Sequence, residues 1–241
     1  MRLNLPTPTS ALAIVAHPDD AEFQCGATLA KWAAAGAVIH HLVCTDGSKG
    51  SWEPTEDTAT LIATRQAEQR AAARALGASG EQVFLDAVDG ELDASLARRA
   101  EVCRWIRTLQ PDIVLGHDPW RRWRLHPDHR NAGFLCVDGV VAARDPHFHP
   151  EQGLVHHRPS AILLFESEEP DHAEDVTGFI DAKVAALLEH RSQFVTTHDI
   201  TDADDATQLA RFRRHIEDRL AASGSRVGRR HAEAFKLIDR V

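Results

Sequence analysis

Five short apolar runs punctuate this 241-residue chain: ALAIVA (11–16), AVIHHLVCT (37–45), EQVFLD (81–86), DIVLGH (112–117) and AILLFES (161–167). Continuous apolar runs of this length, bounded by loop residues, are the pattern of strands covered on both faces. Helical signatures lie between them. CGATLAKWAAAG (25–36) ends at Gly36, and an alanine-rich stretch from about Thr58 to Leu76 stops at Gly77. Leu96, Ala100, Cys103 and Ile106 recur at helical spacing before Pro111, and a further helix is expected from about Pro127 to Ala143. Strands alternating with helices predict βαβ units, a mostly parallel sheet and an α/β fold. Beyond residue 170 the pattern turns helical, with one stripe through Ile180, Val184, Leu187 and Leu188 and another through Leu209, Phe212, Ile216 and Leu220. No linker or repeat marks a boundary, so residues 1–241 are expected to form one domain with helical additions toward the C-terminal end.

Open α/β sheets bind ligands at the carboxyl ends of their strands, so the residues behind each run carry the functional reading. His17-Pro18-Asp19-Asp20 follow the first run and Thr45-Asp46-Gly47-Ser48 the second. His117-Asp118 and then His126-Pro127-Asp128-His129 follow the fourth. The first turn holds neither a G-x-G-x-x-G nor a P-loop pattern, which disfavours a nucleotide enzyme of the usual type. His17 and Asp20, three apart in a turn opened by Pro18, can aim at one point, with Asp19 pointing elsewhere. If Pro127 takes the first helical position, His126 and His129 lie about one turn apart near a helix N-terminus. The positive end of that helix disfavours imidazolium and leaves both rings as neutral bases. Two imidazoles and a carboxylate make a ligand set for catalytic zinc, with one position left for water. The remaining acid and base groups suit metal-assisted hydrolysis of an amide. A lone His-Pro-Asp is commonly just a turn; two such clusters, each behind a buried strand, carry the reading.

Composition narrows the field. With 27 Lys and Arg against 36 Asp and Glu, the net charge is −9, a poor match to phosphate backbones or anionic membranes. No nucleic-acid or membrane partner is expected, and no stretch approaches the ~18 apolar residues of a membrane span. The apolar run near the N-terminus is too short for a signal peptide. Cys25, Cys44, Cys103 and Cys136 are widely spaced, as suits reduced, buried thiols in a cytoplasmic protein. There are 15 histidines and no tyrosine. His117-Asp118 reads as a structural pair or site lining, and His40, His41, His147, His149, His156 and His157 as surface or packing residues. Arg121, Arg122 and Arg124, interleaved with Trp120 and Trp123, suit either a pocket mouth or a solvated loop, and Arg226, Arg229 and Arg230 a charged surface segment.

AHPDDAEFQCGATLAKWAAAG, TDGSKGS, HDPW and LHPDHRNAG, in this order and spacing, resemble the LmbE-like (PIG-L) family of zinc-dependent N-deacetylases. The resemblance runs from about residue 11 to 145 and continues more loosely through EHRSQF (189–194) and HAEAF (231–235). It implies a Rossmann-like sheet with helices on both faces. It further implies that His17, Asp20 and His129 hold Zn2+, with Fe2+ as the alternative ion. By the same resemblance Asp19 is the general base, His126 supports the oxyanion and assists the leaving amine, and Asp128 orients His126. Arg65 sits where relatives place substrate-binding side chains. The implied reaction removes acetyl from an N-acetylglucosamine-type conjugate; cleavage of a thiol-conjugate amide is the alternative. Some relatives hold the oxyanion with a tyrosine that this chain lacks, leaving His126, helped by Arg124, to manage without it. A small N-acetylated substrate is the expected partner, and self-association stays open.

Overall fold

The computed structural model describes residues 1–241. Its strands are β1 (Arg2–Leu3), β2 (Ser10–Val15), β3 (Val38–Thr45), β4 (Gln82–Ala87), β5 (Ile113–His117), β6 (Ala161–Phe165), β7 (His172–Asp175) and β8 (Ala232–Ile238). Its helices are α1 (Asp20–Ala34), α2 (Thr58–Ala75), α3 (Leu96–Leu109), α4 (Pro127–Arg144), α5 (Ile180–Leu188) and α6 (Ala206–Ser225). One sheet holds all eight strands in the order β1-β7-β8-β6-β5-β2-β3-β4. The block from β4 to β6 is parallel throughout, and β8 runs antiparallel to both of its neighbours.

Alternation along β2 shows how the layers are built. Ala11, Ala13 and Val15 join a core with Leu29 and Trp32 of α1, Ala72 of α2 and Ala186 of α5. Leu12, Ile14 and Ala16 join one with Val102 and Ile106 of α3 and Leu135 and Val140 of α4. Helices therefore cover both faces. A third cluster, including Phe194, Phe212, Ile216 and Leu220, seats α6 and the segment before it.

Two elements differ from the sequence reading. Helix α1 begins at Asp20 rather than near Cys25, because the Asp20 carboxylate accepts the His17 N–H at 2.8 Å and turns the chain straight into the helix. Within the C-terminal region expected to be helical, β7 and β8 are strands. Both hide from pattern reading: β7 is four residues long with buried His172 and Glu174, and β8 carries buried Glu233 within its apolar alternation.

Strand β2 lies between β3 and β5, so the loops leaving β2 and β5 diverge from adjacent strand ends, where open α/β sheets form a crevice. Helix α4 approaches that point unusually closely. A Cβ on Gly116 would sit 2.6 Å from Cys136 Sγ, and one on Gly133 2.7 Å from the His117 carbonyl oxygen. Glycine at these two positions lets α4 lie against the end of β5 and brings its first turn over the crevice.

Candidate active site

Three side chains from the two loops converge at the crevice. His17 Nδ1 lies 3.1 Å from His129 Nε2 and 3.5 Å from Asp20 Oδ2, and His129 Nε2 lies 3.3 Å from Asp20 Oδ1. A tetrahedral ion with bonds of about 2.0–2.1 Å requires ligand atoms roughly 3.3 Å apart, so this triangle fits a small divalent cation. The electrostatics agree. Burial opposes a charge on His17, yet Asp128, Asp20 and Asp89 together hold its pKa well above the usual imidazole range. Burial, opposed by Asp20, pushes His129 down to about 3, keeping its lone pair free.

Surrounding side chains fix these three. His17 Nε2 lies 3.1 Å from Asp128 Oδ2 and 3.3 Å from Asp89 Oδ1. Donating Nε2–H to these carboxylates leaves Nδ1 as the lone pair facing the centre, a carboxylate–histidine arrangement common behind metal ligands. Asp128 is held in turn by the N–H groups of Gly90 and Leu92. Its expected partner was His126, and here the structure differs. The Asp128 carboxylate bonds His17, while His126 Nδ1 accepts the backbone N–H of Asp128 at 3.3 Å. The cause is helix geometry: His126 is the N-cap of α4, with Pro127 in the first turn, so its ring turns back onto the helix end. Behind Asp20, His117 Nε2 lies 3.3 Å from Oδ2. The Nδ1 edge of His117 meets Arg124 and Glu166, which pair with each other. Arg124 therefore braces the back of the site rather than facing the cavity.

Asp19 occupies a left-handed backbone conformation, φ 97°, which an aspartate adopts only under constraint. Helix α2 supplies the constraint. Gln69 Oε1 accepts the Asp19 N–H at 3.0 Å, and one turn earlier Arg65 donates to the carbonyls of Pro18 and Gly47 at 2.8 and 2.9 Å. The Arg65 guanidinium also lies 3.6 Å from Asp19 Oδ2. Burial pushes the Asp19 carboxyl up to about 6, against the lowering pull of Arg65. Asp19 does diverge from the ligand triangle, but into the same cavity. Arg65, expected as a substrate contact, is 3% exposed; its Nη1 and Nη2 groups tie two loops together through main-chain carbonyls, and it lines the same cavity.

The cavity above the triangle measures about 870 Å³. His17, Asp19, Asp20, His126 and His129 line its floor, and Trp52, Gln193, Thr196 and residues of α6 its walls. EHRSQF closes one side: Gln193 donates to the Gly50 carbonyl, Ser192 bonds Glu68, and buried His190 lies 3.5 Å from Glu22. Trp120 and Trp123 are exposed and line no part of the cavity, while Arg121 and Arg124 of the same loop fold back onto Glu166.

The model of the family described as PIG-L, GlcNAc-PI de-N-acetylase, matches residues 12–140. The chain belongs to the PIG-L family. Diacetylchitobiose deacetylase of Thermococcus kodakarensis is 30% identical over 230 residues, covering 94% of this chain and 82% of that protein. A PIG-L relative from Geodermatophilus obscurus, 1D-myo-inositol 2-acetamido-2-deoxy-alpha-D-glucopyranoside deacetylase, is 31% identical across 61% of this chain and 58% of its own length. Among solved structures, the N,N'-diacetylchitobiose deacetylase of Pyrococcus horikoshii superposes with a TM-score of 0.85 at 28% identity, covering 96% of this chain and 84% of that one. That PIG-L structure shares with this chain the mixed, mostly parallel sheet with helices on both sides.

Sequence reasoning missed Asp89, Gln69 and the Glu22–His190 pair. Asp89 follows β4, the third apolar run, whose following loop carries no histidine to draw attention. Gln69 is one of several polar residues in an alanine-rich helix, and only its spacing from Arg65 places it on the same face.

Proposed function

We propose that this chain is a zinc-dependent N-deacetylase of N-acetylglucosamine-type conjugates, acting through the 1–241 unit as one domain. The observation that carries the reading is the ligand triangle of His17, Asp20 and His129, with Asp19 and His126 facing the same cavity. The deacetylase relatives support the substrate class. Zinc held by the triangle supplies a Lewis acid that polarises the acetamide carbonyl and acidifies a water. Asp19, held by Gln69 and faced by Arg65, takes the proton of the attacking water. His126 accepts at Nδ1, so in its neutral form Nε2 carries the proton. That Nε2–H donates to the oxygen that gains charge as the tetrahedral carbon forms. The proton taken by Asp19 passes to the departing nitrogen, and the products are acetate and a free amine. No tyrosine is needed: the donor is already fixed by the helix end.

The test is acetate release from N-acetylglucosamine glycosides by protein loaded with zinc or, separately, with ferrous iron. Zinc-supported release, abolished by a chelator and restored by zinc, is the expected result. Absence of acetate from every N-acetylated sugar with the metal bound overturns the reading. Greater turnover with iron overturns the assignment of zinc alone.

A further inference from the structure

One fully buried acid takes no part in the reaction. Glu22, in the first turn of α1, is 0% exposed. Acids are almost never buried to that extent unless they are paired or hydrogen-bonded. Its surroundings are polar. His190 Nε2 lies 3.5 Å from Oε2 and His41 Nε2 3.7 Å from Oε1, and both rings are buried. The shortest contact is to Gln69, whose Nε2 donates to Oε1 at 2.8 Å. Packing α1 against α2 would be served as well by an apolar side chain, which carries no charge to desolvate.

Gln69 gives the acid a use. The Asp19 N–H can only donate, so it takes Gln69 Oε1 at 3.0 Å, and Nε2 is left to face an acceptor. Glu22 is that acceptor. With no acceptor there the amide is free to turn, and Nε2 turned toward Asp19 would set donor against donor. Helix α2 thus grips the Pro18–Asp19 peptide group on both sides. Arg65 Nη2 donates to the Pro18 carbonyl at 2.8 Å, while Gln69 accepts the Asp19 N–H. The orientation of this peptide goes with the φ of 97° at Asp19, a conformation that persists only where the surroundings enforce it.

We propose that Glu22 is a positioning residue for the general base: by fixing the Gln69 amide, it holds the Pro18–Asp19 peptide in the orientation that sends the Asp19 carboxylate into the cavity. The proposal rests on the N-deacetylase reading for the role of Asp19, and two readouts keep them separable. The first needs no catalysis. Solvent exchange of the Asp19 N–H is followed by NMR of zinc-loaded, nitrogen-15-labelled protein, with the N–H groups of β2 as the internal reference. Exchange should be about tenfold faster or more in Glu22→Met. Glu22→Gln keeps an oxygen that can accept from Gln69 and should restore slow exchange. Exchange as slow in E22M as in the parent protein overturns the proposal.

The second readout is steady-state acetate release. E22M should lower kcat by about tenfold or more while KM and zinc affinity stay within about twofold. E22Q should recover most of that loss. E22M/Q69L should be no slower than Q69L alone, because the acid acts through Gln69. An E22Q variant as slow as E22M, or losses that multiply in the double variant, overturns the proposal and leaves the deacetylase reading intact. A parent protein that releases no acetate overturns that reading, and the exchange measurement still decides whether Glu22 holds the peptide. If E22M fails to fold because His190 is left buried opposite an apolar group, E22M/H190L removes both partners and takes its place in each comparison.

Discussion

Replacing Gly133 by alanine is expected to remove the metal site while leaving the fold standing. The added Cβ would lie 2.7 Å from the His117 carbonyl oxygen and 3.0 Å from both Pro119 Cβ and Pro119 N, whereas ordinary contact begins at 3.4 Å. The nearest atom is backbone at the end of β5 and cannot rotate aside. The first turns of α4 must withdraw by roughly 0.7 Å, the gap between those two distances. His129 precedes Gly133 by one turn on the same helix face, so it moves with them. Metal–ligand distances tolerate only about 0.2 Å, and the triangle should lose at least about tenfold in metal affinity. Overpacking of this kind costs about 1–3 kcal/mol of stability. Gly139 provides the control, because its Cβ would meet Val102 Cγ1 at 2.5 Å, on the α3–α4 contact and nearly three turns from His129. G139A should therefore lose stability without losing metal. Thermal melts and competitive zinc titration of both variants make the comparison. If G133A binds zinc as tightly as G139A while melting no higher, the close approach of α4 does not set the position of His129.

Four further substitutions test the remaining parts. Asp19→Asn should retain metal stoichiometry and lower kcat by about 10²–10⁴-fold, as removal of a general base does; metal analysis and steady-state rates read both quantities. Asp128→Asn should weaken zinc binding by about 10–100-fold, since it loosens the Nε2 side of His17, and equilibrium dialysis measures that loss. Gln69→Leu takes away the acceptor of the Asp19 N–H and should reduce kcat with little change in KM or zinc affinity. At the far edge of the sheet, Glu174 is buried, but His172, Lys31 and the Leu5 N–H hold its pKa below the usual range. Its stabilisation is therefore present above about pH 4.3, the ordinary glutamate value, and is lost as pH falls through the lower folded-state value. The melting temperature of Glu174→Gln should be lower at neutral pH and should fall less steeply below pH 4 than that of the parent protein.

How far the sequence carried the account depended on whether a residue announced itself by type. The buried strands were legible because both of their faces are covered, and the two His-Pro-Asp clusters because each follows such a strand. Strand β2 and the start of α4 then fell where the pattern put them. The partners behind the ligands were not legible, because their roles come from tertiary approach. Asp89 reaches His17 from another strand's loop, Gln69 meets Asp19 across 50 residues, and His117 turns onto Asp20 rather than onto its neighbour Asp118. The role of Asp128 illustrates the same limit. The family resemblance gave its carboxylate to His126, but capping geometry left only its backbone N–H there. Strands β7 and β8 escaped because polar side chains buried in pairs, such as His172 with Glu174, break the apolar pattern without breaking the sheet.

The central claim is that one ion sits among side chains contributed by two distant loops. Anomalous diffraction at the zinc edge from crystals of the zinc-loaded protein tests it directly. A single strong peak about 2 Å from His17 Nδ1, a carboxylate oxygen of Asp20 and His129 Nε2 is the predicted result. A zinc peak held by other residues, with these three side chains apart from it, would contradict the account.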